Sequence, residues 1–342
     1  MRKSAQPKIL AKILAIVLLF CLCFSLAACG GDDPANYPDK SITIHVGFNP
    51  GGGVDTAVRG IQPYLQKYIG ASVLVENRPG NQGLIAMNYA GEQKADGYTL
   101  LATTNAMSLN AMVFPESYKL GKPVEEAMIP IYSWINADGN GLFVSKESPL
   151  KTWDDVVAAA QTEKGIKIGG SGIASTDHIT LITIQAIYGG NWTFVPMDSA
   201  GEVVSAVLGG QLDVGSSSPG GASLDPGRIN MLAVTLAERA PKWPDAPTFI
   251  ELGQPDLYIL FVVGLMAPAD TPPEIIKKLE DAMAQARNDP DYIAWAENAQ
   301  QAIGEEGWDG VTYSEYLTNY QSFMSGIIPE IRAQLDAAQQ GN

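Results

Sequence analysis

Chemistry in this 342-residue chain would have to come from two histidines, three cysteines and scattered serines, threonines and carboxylates. A nucleophile needs a general base within hydrogen-bond reach, and that base is most often a histidine. His45 lies inside the alternating run 41–46, on the face of Thr43 and Gly47, where packing or a hydrogen bond is the expected role. His178 follows the Ser175-Thr176 start of a helix, where an orienting hydrogen bond and a general base are both open to it. Ser171 has Gly169 two residues before it but Ile173 two after, and Ser217 has Gly215 before it but Pro219 after, so neither completes a G-x-S-x-G elbow. Two distant histidines make no zinc site, and the acidic residues lack calcium-loop spacing. The loop at 47–53 runs into Val54-Asp55-Thr56, with neither the Lys-Ser/Thr of a Walker loop nor the third glycine of a dinucleotide fingerprint. The sequence therefore predicts no cofactor, no metal and no catalytic set.

What remains is three loops rich in Gly, Ser, Thr and Asn, at 47–53, 77–83 and 169–176. A loop that ends a strand and opens a helix presents unpaired backbone amides at the positive end of the helix dipole. Such a nest holds a carboxylate or phosphate without any Lys or Arg. The plain alternative is that these glycines only make tight turns and helix caps.

The flanking patterns supply the elements that would aim these loops. Ile42, Ile44 and Val46 alternate as a strand, and Val54, Val58, Ile61 and Leu65 then recur at helical spacing. Strands follow at 73–76 and 98–102, with a small-residue helix from about Leu84 between them. The middle of the chain repeats this order. Thr152 and Asp155 make a capping box, 166–168 is a strand, and Ile179, Ile182, Thr183 and Ala186 share one helix face. Strands are expected at 193–195, 212–215 and 231–235, with a helix on Val203, Val204, Val207 and Leu208. Pro272-Pro273 opens a helix through Ile275, Ile276, Leu279 and Met283, and Thr312 with Glu315 is expected to cap another carrying Leu317, Tyr320 and Met324. Strands alternating with helices predict an α/β fold, and the length allows two units. A net charge of −15 argues against nucleic acid as a partner.

The N-terminus reads as an export signal. Arg2, Lys3, Lys8 and Lys12 precede an apolar run at 13–28, shorter than the roughly 20 residues of a spanning helix. Ser25-Leu26-Ala27-Ala28-Cys29 resembles a bacterial lipobox, with cleavage before Cys29 and lipid on the new terminal cysteine; a plain cleaved signal is the alternative. Cleavage also removes Cys21 and Cys23, which excludes disulfides and cysteine catalysis. Residues 29–36 are then the lipidated cysteine and a polar tether.

Several ordered motifs resemble the tripartite tricarboxylate transporter substrate-binding proteins, also called Bug receptors. They are Tyr37-Pro38, the run from Ile42 to Asp55, Val75-Glu76-Asn77-Arg78-Pro79-Gly80 and Asp96-Gly97-Tyr98-Thr99-Leu100-Leu101. Gly170-Ser171-Gly172 with Ser175 and His178, Leu208-Gly209-Gly210-Gln211-Leu212-Asp213, Asp245-Ala246-Pro247-Thr248 and Ala267-Pro268 continue the series. The resemblance implies a two-lobed periplasmic-binding-protein fold of type II character, its lobes joined by crossing strands near 141–144 and 258–264. Residues 37–140 with 260–342 would form one lobe and 141–259 the other. It further implies an interlobe cleft in which Phe48, Asn49, Gly52 and Gly53 with Gly80, Asn81, Gln82 and Gly83 clasp a carboxylate. Ser171, Ser175, Thr176 and His178 would serve its other end, with Thr104 and Ser217 nearby, and Asp55 is expected to cap the first helix.

Two departures bear on the ligand. Where the family reads Val-Pro-Tyr-Lys-Gly, this chain has Val195-Pro196-Met197-Asp198-Ser199, so Asp198 either faces solvent or meets a donor group on the ligand. Asn81 and Gln82 alter the usual Pro-Gly-Ala-Gly-Gly. The expected function is a monomeric, lipid-anchored extracytoplasmic receptor, at the outer face of the cytoplasmic membrane or in the periplasm, that performs no chemistry. It would deliver a small organic anion to the membrane permease subunits of a secondary transporter. A lipid-anchored α/β enzyme and a receptor serving a signalling partner are the rivals.

Overall fold

Alternation and glycine punctuation place the first strands where the chemistry needs them. The computed structural model describes residues 36–333, apart from 173, 174, 222, 300, 302, 327 and 330. The signal at 1–28, Cys29 and the tether up to residue 35 lie outside the described residues. The chain divides after Asp39; of residues 1–39 only 36–39 are described, with a cis Tyr37–Pro38 bond.

The second unit carries two sheets. The first begins with β1 (Ile42–Val46), α1 (Gly53–Ile69), β2 (Val73–Asn77), α2 (Leu84–Gly91), β3 (Thr99–Thr104), α3 (Asn105–Val113), the single turn α4 (Val124–Ala127) and β4 (Met128–Gly139). The chain then builds the second sheet. Its elements are β5 (Gly141–Ser145), α5 (Trp153–Ala160), β6 (Ile166–Ser171), α6 (Thr176–Tyr188), β7 (Trp192–Met197), α7 (Ala200–Leu208), β8 (Val214–Ser217) and β9 (Ile229–Val234). It returns through β10 (Leu260–Pro268), α8 (Pro273–Arg287), α9 (Pro290–Asn298), β11 (Trp308–Asp309) and α10 (Gly310–Ser325). The first sheet runs β11-β4-β10-β3-β1-β2 and the second β7-β6-β8-β5-β9.

Strand direction decides where a site can lie. In the first sheet β1 is parallel to both β2 and β3, and in the second β6 is parallel to both β7 and β8. Each sheet therefore has a point where successive crossovers leave in opposite directions, between β1 and β3 and between β6 and β8. Open α/β sheets bind ligands at that switch point, outside the carboxyl ends of the strands. β4 runs in the direction of β3, because both are antiparallel to β10. The chain thus leaves the first sheet at its carboxyl edge. After Asn140 alone it enters β5, whose first residue, Gly141, pairs with Ser217 at the end of β8. The carboxyl edges of the two sheets meet at this crossing. Thr235 fastens it: its Oγ1 accepts from Asn140 N–H at 2.8 Å and donates to the Ile259 carbonyl at 2.8 Å, tying the outgoing and returning segments together.

Several boundaries differ from the sequence expectation. The capping box of α5 forms through Thr152 and Asp155. α10 instead begins at Gly310, with Asp309 accepting from Thr312 N–H, so Thr312 donates to the cap and the expected Thr312–Glu315 box does not set the start. β6 continues through Gly169 and Gly170 to Ser171, where a loop was expected. A Cβ at Gly169 would lie 2.2 Å from Leu212, and one at Gly170 2.4 Å from Asp177 Cβ. Glycine there opens no turn; it lets neighbours pack against an extended strand.

Apolar faces close over both sheets. Leu109, Val113, Leu142, Val144, Trp153, Val156 and Ile168 share one buried cluster with Tyr320 and Met324 of α10. A polar tie holds α9 to α1: the buried Asp289 carboxylate caps α9 and accepts from Lys67 Nζ at 2.7 Å and Tyr68 Oη at 2.9 Å. The Lys67 bond, against the opposing effect of burial, pulls its carboxyl down to about 2 from 3.8. A depressed folded value gives stabilisation that is complete above the unfolded pKa and lost as pH falls through the folded one. Asp289→Asn should therefore melt below the parent protein at neutral pH, and thermal melts should show the gap closing between about pH 4 and pH 2.

Candidate functional site

The first sheet's site is built from two loops in backbone contact. Gly47 follows β1, and a Cβ on it would lie 2.7 Å from Gly83 Cα and 3.0 Å from the Gly83 carbonyl oxygen. The loop from Gly80 to Gly83 is wound left-handed throughout, with φ of 125° at Gly80, 47° at Asn81, 53° at Gln82 and 91° at Gly83. For Asn81 and Gln82 this costs on the order of 1–2 kcal/mol each. Strain of this kind collects at ligand clamps, where surrounding contacts hold it. Here Gly83 N–H donates to the Gly80 carbonyl at 3.0 Å, and Asn110 Nδ2 to the Gln82 carbonyl at 3.3 Å. Asn81 and Gln82 themselves stand exposed at the tip.

Asp55 organises the partner loop. Gly52 is the N-cap of α1 and Gly53 its first residue, and no side chain caps that start. The buried Asp55 carboxylate reaches back to accept from Gly51 N–H at 2.8 Å, from Asn77 Nδ2 at 2.7 Å and from Arg59 Nε at 3.0 Å. Asn77 Nδ2 also donates to the Phe48 carbonyl at 3.0 Å. Asp55 thus fixes the entry to the helix and joins it to the end of β2, while the first-turn amides remain without intrahelical acceptors. Burial raises its carboxyl, but the donors from Arg59, Gly51 and Asn77 outweigh this and hold it below the ordinary carboxylate range. Asn49 is exposed and its carbonyl accepts from Gly52 N–H, and Phe48 is half-buried against the Leu84 and Met107 cluster. Thr104, at the end of β3, is buried, and its hydroxyl caps α3 by accepting from Met107 N–H.

Serines gather at the second sheet's switch point. Ser171 ends β6 and Ser217 ends β8. Ser175 caps α6, accepting from His178 N–H and donating to the Gly172 carbonyl. Thr176 is the first residue of that helix and is buried, as is His178, whose ring stacks on Phe194 with centroids 4.5 Å apart. Asp198 is exposed in the turn after β7, and its N–H donates to Glu202.

Four groups that residue types did not single out join these. Asp177 accepts from Ser171 N–H at 2.8 Å, Ser171 Oγ at 2.6 Å and Ser216 Oγ at 2.6 Å. Asp138, at the crossing, accepts from Ser218 Oγ at 2.7 Å and Gly139 N–H at 2.9 Å. The run Ser216-Ser217-Ser218 at the carboxyl end of β8 was the available signal. Burial pushes both carboxyls up; the hydroxyl and amide donors oppose this, and for Asp138 the charge of Asp177 adds to the rise. Among the described residues no His/Cys/Asp/Glu group could hold a metal ion, and no helix is long and apolar enough to cross a membrane.

This geometry can hold an anion by backbone amides on one edge and meet it with serines and carboxyls on the other. Residues 57–306 match the model of the tripartite tricarboxylate transporter family receptor. Protein BugT of Bordetella pertussis is 27% identical over 283 residues, 81% of this chain and 85% of that protein. A TctC solute-binding protein from Polaromonas superposes with a TM-score of 0.74 at 24% identity, covering 86% of this chain and 99% of that one. MatC of Rhodopseudomonas palustris, solved with bound malate, gives 0.70 at 22% identity, covering 85% and 100%. The fold is accordingly the two-lobed α/β architecture of periplasmic solute-binding proteins. By the extent of the family match, the chain belongs to the tripartite tricarboxylate transporter receptor family, whose members are solute-binding receptors and not enzymes.

Proposed function

We propose that this receptor captures a small organic carboxylate between the facing carboxyl edges of its two sheets and passes it to membrane permease subunits. The observation that carries this reading is the contact of the Gly47 and Gly80–Gly83 loops at a topological switch point, opposite the serines of the other. Affinity would come from amide donors set in place before the ligand arrives, and hinge closure at the Thr235 crossing would exclude water. Malate in MatC, a protein of the same fold, supports the ligand class. The test is a thermal-shift screen of mono-, di- and tricarboxylates, amino acids and aromatic acids. A ligand at 100 times its dissociation constant adds about 2.7 kcal/mol, and one carboxylate class should raise the melting temperature by several degrees. A flat response from every carboxylate would overturn the reading.

The same reading has the receptor exported and held at the membrane by lipid on Cys29, as a monomer. Cys29→Ala should release it from the membrane fraction with ligand affinity unchanged. Continued membrane association in that variant would contradict the anchor.

A further inference from the structure

We propose that Asp177 is an internal stand-in for a ligand carboxylate, so that the receptor accepts ligands with one carboxylate and an uncharged or hydrogen-donating far end and rejects dicarboxylates. The inference rests on the reading that a carboxylate is bound between the two edges, and it names the class within it.

The donors best placed to hold a second ligand carboxylate are already taken. Ser171 N–H, Ser171 Oγ and Ser216 Oγ converge on the Asp177 carboxylate from the ends of β6 and β8. Asp177 is the second residue of α6, so its charge lies at the positive end of that helix, where a bound anion would be stabilised. It is 5% exposed, which makes it a fixed part of the wall. Gly170 permits this, since a side chain there would collide with Asp177 Cβ. All three donors are serine groups, and none brings a positive charge to offset an added anion. Asp138 places another carboxyl on the same side, close enough for the charge of Asp177 to raise it. A ligand carboxylate arriving here would meet like charge in a desolvated site, which costs binding free energy. A carboxamide, hydroxyl or ammonium group would instead offer protons to acceptors already present.

The experiment is calorimetric titration of the full chain with succinate, glutarate and adipate, each beside its monoamide, which keeps the shape and removes one charge. In every pair that binds, the monoamide should bind at least tenfold tighter in the parent protein. Asp177→Asn should shrink that ratio at least tenfold by admitting the dicarboxylate. Asp177→Ser, which frees the same donors without adding an amide, repeats the test should the first variant not fold. Equal or tighter binding of the dicarboxylates by the parent protein, or a ratio unchanged in both variants, overturns the role of Asp177 while leaving a carboxylate receptor standing. Absence of binding by all six compounds overturns the class named here, whereas the carboxylate reading itself falls only with a flat response in the wider thermal-shift screen.

Discussion

Gly47→Ala is expected to destabilise the protein by about 1–3 kcal/mol and to remove measurable carboxylate binding. The added Cβ would lie 2.7 Å from Gly83 Cα and 3.0 Å from its carbonyl oxygen, and both are backbone atoms that cannot swing aside. Gly83 has little room to retreat, because its own Cβ position is 2.8 Å from the sulfur of buried Met107. The two loops must therefore part, and the amides they present would no longer converge on one anion. Gly201→Ala on α7, where the added Cβ would meet only Ser199 Oγ at an ordinary 3.9 Å, is the control. Urea unfolding with calorimetric titration reads both effects. A Gly47→Ala protein with the parent's stability and affinity would mean that the loops need not touch.

Asp55→Ala has the second largest expected effect. The substitution removes the acceptor for Gly51 N–H, Asn77 Nδ2 and Arg59 Nε at once, leaving the half-buried Asn77 amide with the Phe48 carbonyl alone. Hydrogen bonds to a buried charged group are worth about 1.5–3 kcal/mol each, less where the donor can turn to water instead. Arg59 is half exposed, so its ion pair contributes at the low end of that range. A net loss of about 2–4 kcal/mol is expected, with at least a tenfold fall in affinity as the 47–53 loop loses its anchor. Asp55→Asn, which keeps the shape and part of the acceptor set, should fall between the two. Denaturant midpoints for the three proteins in that order check the argument, and equal midpoints would refute it.

What was legible in the sequence was local. β1, β2 and β3 show as short apolar runs bounded by Gly, Pro and Asn, and the loops between strand and helix declare themselves through glycine. α3 did not, because Asn105, Met107, Ser108, Leu109, Asn110 and Ala111 are all buried and leave no polar face to mark a period. β4 was missed for a related reason: it is twelve residues long, ends in polar Asn136 and Asp138, and draws its stability from pairing with β10 more than a hundred residues later. The site divides in the same way. Phe48, Gly52, Gly53 and the Gly80–Gly83 turn were visible as residue types, whereas the Gly47–Gly83 contact depends on two crossovers bringing the loops together. Nothing in residue type sets Asp177 apart from any other acid in the first turn of a helix, and its partner Ser216 lies 39 positions away. Asp198, an open question in the sequence, is exposed beyond β7, and the acidic character of that side comes from Asp138 and Asp177 instead.

If a carboxylate is enclosed between the two carboxyl edges, the sheets must close on it, and that closure can be read as a distance. Ile85 on α2 and Ser205 on α7 are exposed on helices that follow the site loops of opposite sheets. Spin labels at these two positions allow a pulsed dipolar measurement of the distance between the sheets. A shorter, narrower distance distribution is expected on saturation with the carboxylate that raises the melting temperature, and no shift in Gly47→Ala. A distribution unchanged at saturating ligand would contradict that enclosure.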